Sequence, residues 1–303
     1  MQSSWINKAL IRDFEAEGTD AYRLCTIASG WVERFAQDIL VSFKDQAGRE
    51  RLTAEFFLWA EAMDFNTQRI FERFLPKRNE ERGAPKLILG DSRSSPRTIV
   101  MERGLRYEID FSGGYSAGLF FDQRENRSFV RKARPERALN CFAYTCSFSV
   151  AAAIAGARTV SVDLSQKSLE RGRQNFALNN LPATGHQFIA DDVFEVLPRL
   201  VRKGEKFDLI VLDPPTFSRS HRGKTFKVQS DFESLLTDAL EVADRNARIL
   251  LSTNCATLNE RALDVMARFC LKASRRAGTF HSEPKPRDFP GGSGANSIWL
   301  TLR

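Results

Sequence analysis

Residues 205–217, EKFDLIVLDPPTF, decide how the rest of the chain is read. The run FDLIVL is short, apolar and rich in strand-forming side chains, with turn formers on both sides. It therefore reads as a strand buried on both faces. Asp213 emerges where that strand reaches the edge of its sheet. Pro214 and Pro215 stiffen the backbone there and remove two N–H donors, so nearby carbonyls stay open to a ligand's amino group. Phe217 adds a flat apolar face to the same edge.

Working outward, the texture from about residue 135 onward alternates short apolar runs with helical patterns. Strands are expected at 138–142, 159–162, 186–189, 209–212 and 249–251, with 297–302 as a last strand at or near the sheet edge. Helices are expected at 149–155, 169–178, 193–201, across 235–242, and from a capping box Thr257-x-x-Glu260 to about 276. Strand–helix alternation of this kind predicts an α/β fold with a doubly wound, mainly parallel sheet.

Upstream the pattern differs. Residues 1–20 read as a helical segment. Short strands are expected at 22–24, 32–35, 38–43 and 86–89, and at 99–111 with a turn near Gly104. Phe56, Ala60, Met63, Thr67, Ile70 and Phe74 recur at spacings of four and three, which predicts one amphipathic helix through Phe74. Residues 21–113 thus form a small α+β domain, and FSGGYSAG marks the boundary to a second domain over 114–303.

Composition narrows the classes. The chain has 303 residues, 42% of them apolar and 27% charged, as in ordinary globular proteins. No apolar run approaches the roughly 20 residues that cross a bilayer, and the N-terminus has no signal-peptide core, so a cytoplasmic protein is expected with no membrane partner. The 5 cysteines include no CxxC pair and the 3 histidines are scattered, so neither a disulfide framework nor a metal site is expected. A net charge of +7 suits an anionic partner, nucleic acid first among them.

In doubly wound sheets, ligands bind beyond the carboxyl ends of the strands. After the first strand comes Asn140-Cys141-Phe142-Ala143-Tyr144-Thr145-Cys146-Ser147, small residues leading to a helix N-terminus whose free N–H groups can meet a carboxylate. It lacks the GxGxxG of a dinucleotide site, which weighs against a nicotinamide-dependent oxidoreductase. Asp163 follows the second strand, placed to accept from ribose hydroxyls. Asp191 and Asp192 follow the third; Asp192 is read as the acceptor for an adenine amino group and the other as a helix cap.

Together these residues resemble class I methyltransferases with a Rossmann-like fold. More narrowly, the chain resembles the bacterial large-subunit (23S) ribosomal RNA methyltransferases with cytosine-C5 and guanine-N7 members. The resemblance runs through Thr19-Asp20-x-Tyr22-Arg23, the pattern Gly118-x-Phe120-x-Asp122-Gln123-Arg124-x-Asn126-Arg127, LNCFAYTCSFSVAAA, VDLSQKSLERGRQNFALN, DDVFEVL and GEKFDLIVLDPPTFS. It implies S-adenosylmethionine as cofactor. Asp163 and the adjoining Leu164 would hold the ribose, Asp192 the adenine side, and Asn140, Phe142, Tyr144 and Thr145 the methionine part. Arg124 would lie near the active site and Asp213 at the meeting of donor and acceptor. The loop departs from the family in carrying Cys146 where glycine is usual. The residues before Tyr22 are too few for the PUA-like RNA-binding module of many relatives.

Two chemistries compete for the acceptor. Methylation at cytosine C5 needs a thiolate, and Cys255, after the fifth strand, matches the nucleophile of that branch, aided by the helix N-terminus that follows. A guanine enzyme needs no nucleophile, only a rigid acceptor edge and a stacking surface, which Asp213, Pro214 and Phe217 supply. TDAYR, DPPTFS, Asn254 and the segment Phe226-Lys227-Val228-Gln229-x-Asp231 favour guanine. Basic segments RKAR (131–134), RLVRKGEK (199–206), RSHRGKTFK (219–227) and KASRR (272–276) suit the phosphates of an RNA partner, large-subunit rRNA or its assembly intermediate. The alternatives are a non-enzymatic RNA-binding scaffold, suggested by Cys146, and a methyltransferase of a protein or small molecule. The oligomeric state is not legible.

Overall fold

The computed structural model describes residues 4–76, 81–182, 184–219, 225–255 and 257–303. The chain divides into two compact units, Met1–Phe121 with Pro286–Gly292, and Asp122–Lys285 with Ser293–Arg303. The division thus falls after Phe121 rather than near residue 113, and one late segment returns to the first unit.

The first unit begins with α1 (Lys8–Ala16), started by Asn7, whose side chain accepts from the Leu10 N–H. Strands β1 (Ala21–Ile27), β2 (Gly30–Phe35) and β3 (Asp38–Phe43) form an antiparallel meander. Helix α2 (Gln46–Met63) crosses to β4 (Arg69–Phe74), which pairs parallel to β3. β5 (Lys86–Leu89) closes the five-stranded sheet, and β6 (Arg97–Glu102) and β7 (Leu105–Asp110) make a separate hairpin. Ile11 and Phe14 of α1 share one core with Tyr22, Val32, Val41, Leu52 and Phe56, so α1 is part of this unit. The returning segment is tied in by the Arg23 N–H, which donates to Asp288 at 2.8 Å, and by the Arg23 guanidinium over Phe289.

One expectation fails here. The helix stops at Met63 because Asp64 turns left-handed (φ 52°), and Ile70 and Phe74 lie on β4. A spacing of four returns a side chain to the same face of a strand as well as of a helix, so the Ile70–Phe74 interval cannot separate them. Asp38 settles the pairing of β3 with β4 by gripping buried Arg69 through both carboxylate oxygens, at 2.8 and 2.6 Å.

In the second unit a 3-10 turn (Phe121–Gln123) leads into α3 (Arg124–Ala133). There follow β8 (Arg137–Cys141), α4 (Ser147–Ile154), β9 (Arg158–Asp163), α5 (Gln166–Leu178), β10 (His186–Ala190), α6 (Val193–Arg202) and β11 (Phe207–Leu212). Then come the short ribbon β12 (Phe217–Arg219) and β13 (Thr225–Lys227), α7 (Val228–Glu241), β14 (Ala243–Thr253), α8 (Glu260–Ala273), β15 (Gly278–His281) and β16 (Asn296–Leu302). The strand order is β10-β9-β8-β11-β14-β16-β15, with β16 antiparallel to both neighbours. This is the expected doubly wound sheet, its last strand one place in from the edge. Its core joins Leu139, Val162, Ile210, Leu212, Leu236, Ile249 and Leu300.

One local reading changes, and one helix is new. Asn259, not Thr257, caps α8, accepting from the Ala262 N–H at 2.9 Å. The Thr257 hydroxyl is taken up by Gln229 and by Cys255. Helix α3 had no counterpart in the sequence reading. Residues 220–224, in the basic stretch 219–227, and 77–80 lie outside the described residues.

Candidate active site

The chain order turns outward in both directions from β8 and β11, so the crevice between them is the sheet's switch point. Cys141 of β8 pairs with Val162 of β9 and with Leu212 of β11, which puts the loops after all three strands along one edge.

The loop after β8 is held in an alternating left-handed path: Phe142, Tyr144 and Cys146 have φ of 59°, 47° and 61°. Each such non-glycine residue costs roughly 1–2 kcal/mol, so the surroundings must impose the path. They do so through hydrogen bonds. The Ala143 N–H donates to Val162 O at 2.9 Å and the Tyr144 N–H to Asp163 Oδ2 at 2.8 Å. Asn175 of α5 donates to Thr145 O at 2.9 Å. Asn140 is buried and donates to Ser149 at 2.9 Å, tying β8 to α4. Thr145 is buried too, so these two support the loop; Phe142, packed against the sheet core, and Tyr144 are half-buried.

Cys146 is fully buried, and its thiol lies against α5 at Gly172, where a Cβ would come 2.4 Å from the sulfur. The cysteine occupies room that Gly172 leaves. It adopts the left-handed backbone that a glycine would adopt, without presenting its sulfur to the crevice. Burial pushes this thiol up to about 12, so it stays neutral and inert.

Asp163 ends β9. Its Oδ1 accepts from the Ser165 N–H at 2.8 Å and its Oδ2 from Tyr144, leaving each oxygen a further lone pair for a ribose hydroxyl. Burial pushes its carboxyl above the usual range while these two N–H groups pull it back. Leu164 beside it is half-buried. Asp192 turns out to be the cap of α6, its Oδ1 accepting from Phe194 N–H at 3.0 Å. Asp191 is instead paired with Arg199. The cap uses one oxygen of Asp192, and the other is the one available to an adenine amino group.

Asp213 stands directly beyond β11, followed by buried Pro214 and exposed Pro215, Thr216 and Phe217. Burial pushes its carboxyl up to about 6, aided by the charge of Asp122 and opposed by Ser252 and Arg127. A relay explains the Ser252 effect. Gln123 Nε2 donates to Ser252 Oγ at 2.7 Å, which orients the serine hydroxyl toward Asp213. Asn126 donates to Gln123 at 2.8 Å and accepts from Trp299 Nε1 at 2.9 Å. Arg124 is fully buried at the start of α3; Arg127, one turn on, is the arginine whose charge reaches Asp213.

Asp122 and Arg127 of this motif thus act on Asp213 by charge, and Gln123 acts on it through Ser252; the sequence reading placed Arg124 near the active site but missed these three residues and Ser252. A serine and a threonine, Ser252 and Thr253, both fully buried at the end of an apolar strand, were the available signal. Removing the serine hydroxyl, as in Ser252→Ala, is expected to move the acid limb of the pH–rate profile above about 6, which a rate series at pH 5 to 9 measures.

Cys255 lies just beyond β14, the strand beside β11, and is buried. Burial raises its thiol, but hydrogen bonds from Thr257, Leu258 and Gln229 outweigh that and hold it below the ordinary thiol value. Its sulfur is 3.2 Å from Thr257 Oγ1. Among the described residues no group of histidine, cysteine and carboxylate side chains forms a metal site, and no helix is long and apolar enough to cross a membrane.

Known proteins resemble the chain in sequence and in fold. A model of the S-adenosylmethionine-dependent methyltransferases matches residues 72–286. Ribosomal RNA large subunit methyltransferase I of Aeromonas salmonicida is 32% identical over 289 residues, covering 91% of this chain and 72% of that protein. Ribosomal RNA large subunit methyltransferase K/L of Psychrobacter sp. is 44% identical over 161 residues, 52% of this chain and 20% of that one. In fold, the SAM-dependent methyltransferase of Agrobacterium tumefaciens superposes with a TM-score of 0.72 at 19% identity, covering 94% of this chain and 91% of its own. A candidate methyltransferase complexed with SAH superposes at 0.81 with 24% identity, covering 97% and 78%.

Proposed function

The chain belongs to the S-adenosylmethionine-dependent methyltransferase family, and from that premise we propose that it methylates a base of large-subunit ribosomal RNA in the cytoplasm, guanine being the favoured base. The observation that carries the reading is Asp213: a raised, half-buried carboxylate at the switch point, on a rigid Pro-Pro edge, beside exposed Phe217.

The crevice fits the cofactor chemically. Asp163 keeps lone pairs for a diol, Phe142, Tyr144 and Leu164 offer apolar walls, and α4 starts without a side-chain cap, where a carboxylate is favoured. S-adenosylmethionine supplies a methyl group already activated on a sulfonium. The protein's work is orientation. Asp213 and the Pro-Pro edge accept hydrogen bonds from the N–H edge of a guanine, and Phe217 stacks on its ring. The ring nitrogen then needs no protein nucleophile. A base taken out of its helix, or from a non-helical segment, meets these groups. The net charge of +7 and the relatives named for ribosomal RNA support an RNA substrate, the rRNA itself or an assembly intermediate.

Cytosine C5 is the second reading, favoured by the lowered thiol of Cys255. Its burial inside the core and its tie to Thr257 weigh the other way. Cys255→Ala is expected to keep methyl transfer within a few-fold of wild type. Nucleoside mass spectrometry of large-subunit rRNA from a deletion strain, treated with each protein, decides: 5-methylcytosine lost in the variant establishes the cytosine branch, and methylguanosine from both establishes guanine. Methyl groups found only in protein overturn the RNA reading.

A further inference from the structure

The basic residues fall unevenly over the chain. In the first unit lysines and arginines nearly cancel against carboxylates, so the +7 belongs to the catalytic unit. Two of its basic segments, the ends of 199–206 and 272–276, are far apart in sequence, yet they meet at the sheet edge opposite the candidate active site. There Lys206 precedes β11, Arg245 lies near the start of β14, Arg275 and Arg276 lead into β15, and Arg303 follows β16.

Together with Ala243, Asp244 and Ala277 these five cations line a cleft of about 600 Å³. Lys206 and Arg276 have duties in the fold. Lys206 donates to Glu241 O at 2.7 Å, and Arg276 to Leu240 O at 2.8 Å, Ala243 O at 3.1 Å and Asp244 O at 2.7 Å, which satisfies carbonyls at the end of α7 and the start of β14. Arg245, Arg275 and Arg303 are exposed and, among the described residues, have no carboxylate partner. Among the described residues, Asp244 is the one acidic side chain that lines the cleft. A neighbouring cleft on the same edge adds exposed Arg158 and the Arg137–Glu205 pair.

We infer that this cleft holds RNA phosphates remote from the base being methylated. The inference rests on the RNA reading of the active site. Guanidinium groups without acidic partners, fixed on the ends of sheet strands, suit phosphate oxygens, and such contacts set affinity and register rather than sequence. β11 runs from the cleft to Asp213. At roughly 3.3 Å per residue, its length separates the two by about 20 Å. A single base does not span that distance, so the substrate is an extended or folded RNA that wraps one edge of the sheet to the other. The cleft then explains why the charge excess sits on the catalytic unit while its chemistry needs only a base.

The test uses the whole chain, S-adenosylmethionine and a large-subunit rRNA transcript free of protein. Arg245→Ala/Arg275→Ala is expected to weaken RNA binding about tenfold and to reduce the log Kd–log salt slope by about 1.5, since each lost phosphate contact removes roughly 0.7–0.9. KM for the transcript rises while kcat at saturation and cofactor affinity by calorimetry hold. Arg245→Glu should deepen the loss. Unchanged Kd and slope in a variant whose wild type methylates the transcript overturn the cleft alone. A wild type that binds cofactor but no RNA overturns both the cleft and the RNA reading. RNA binding untouched with binding of poly-glutamate lost would show an acidic protein as the occupant instead and overturn the proposal.

Discussion

Asp213→Asn is expected to lower methyl transfer by about 100-fold or more while leaving a protein that is more stable than wild type above neutral pH. The substitution keeps size and removes charge, so it separates the two things the carboxylate does. In the proposed role of an acceptor aimed at a base edge, an ionised carboxylate in a half-buried site is worth the roughly 10²–10⁴-fold typical of a positioned acid–base group. As a buried charge, it is a burden on the fold.

The sign follows from the shift. The folded carboxyl titrates near 6, against 3.8 for an ordinary aspartate. The folded state therefore binds this proton more tightly than the unfolded chain. The group's favourable contribution is full below pH 3.8 and is lost as the pH rises through about 6. At about 1.36 kcal/mol per pKa unit, the ionised form costs on the order of 3 kcal/mol at pH 8. Asp213→Asn should raise Tm by several degrees at pH 8 and by almost nothing at pH 4. Wild-type activity should fall as the pH drops through about 6, because the proton then occupies the acceptor. Thermal melts at the two pH values check the first half and a pH–rate series the second. An asparagine variant less stable at pH 8 would show that the carboxylate is held by more than the Ser252 relay and the charge of Arg127.

Gly172→Ala carries the second large effect. The new Cβ would stand 2.4 Å from the Cys146 sulfur, in a site with no exposure to relax into. Overpacking of this kind costs about 1–3 kcal/mol. The strain falls on the loop that Asn175, one turn along α5, holds through Thr145 O. Cofactor affinity should drop about tenfold along with Tm. Cys146→Gly removes both the clashing sulfur and the left-handed penalty at φ 61°, and should restore both quantities in the double variant. A double-mutant cycle in melts and in calorimetry with S-adenosylmethionine reads the coupling, expected above about 1 kcal/mol. Additive losses would mean that the two residues do not share one space. The pairing also removes the reason for reading Cys146 as the sign of a non-enzymatic scaffold.

The elements that were legible and those that were not differ in a physical way. Strands such as β11 and β9 bury apolar runs, and a run is visible in one dimension. Helix α3 buries Arg124, Asn126, Arg127 and Val130, so its inward face is mostly polar and no apolar period announces it. The same is true of its partners. Ser252 and Gln123 are 129 positions apart, and Asn126 and Trp299 173 apart. A motif such as Asp122–Arg127 could be quoted, but nothing in it says which atom it serves. At the third strand the acidic pair was legible, but which member caps the helix depended on which N–H each carboxylate could reach: Phe194 for Asp192, Arg199 for Asp191.

The amino-acid sequence by itself determined the doubly wound sheet, the loops that carry Asp163 and Asp213, and the family these imply, because hydrophobic period and strand-end chemistry are local. Only the tertiary structure decided what surrounds Asp213, how Cys146 is accommodated by Gly172, and that basic segments seventy residues apart face one cleft. Those outcomes depend on sheet order and register, which bring polar groups from distant segments within hydrogen-bond reach, and such pairings leave no periodic trace along the chain.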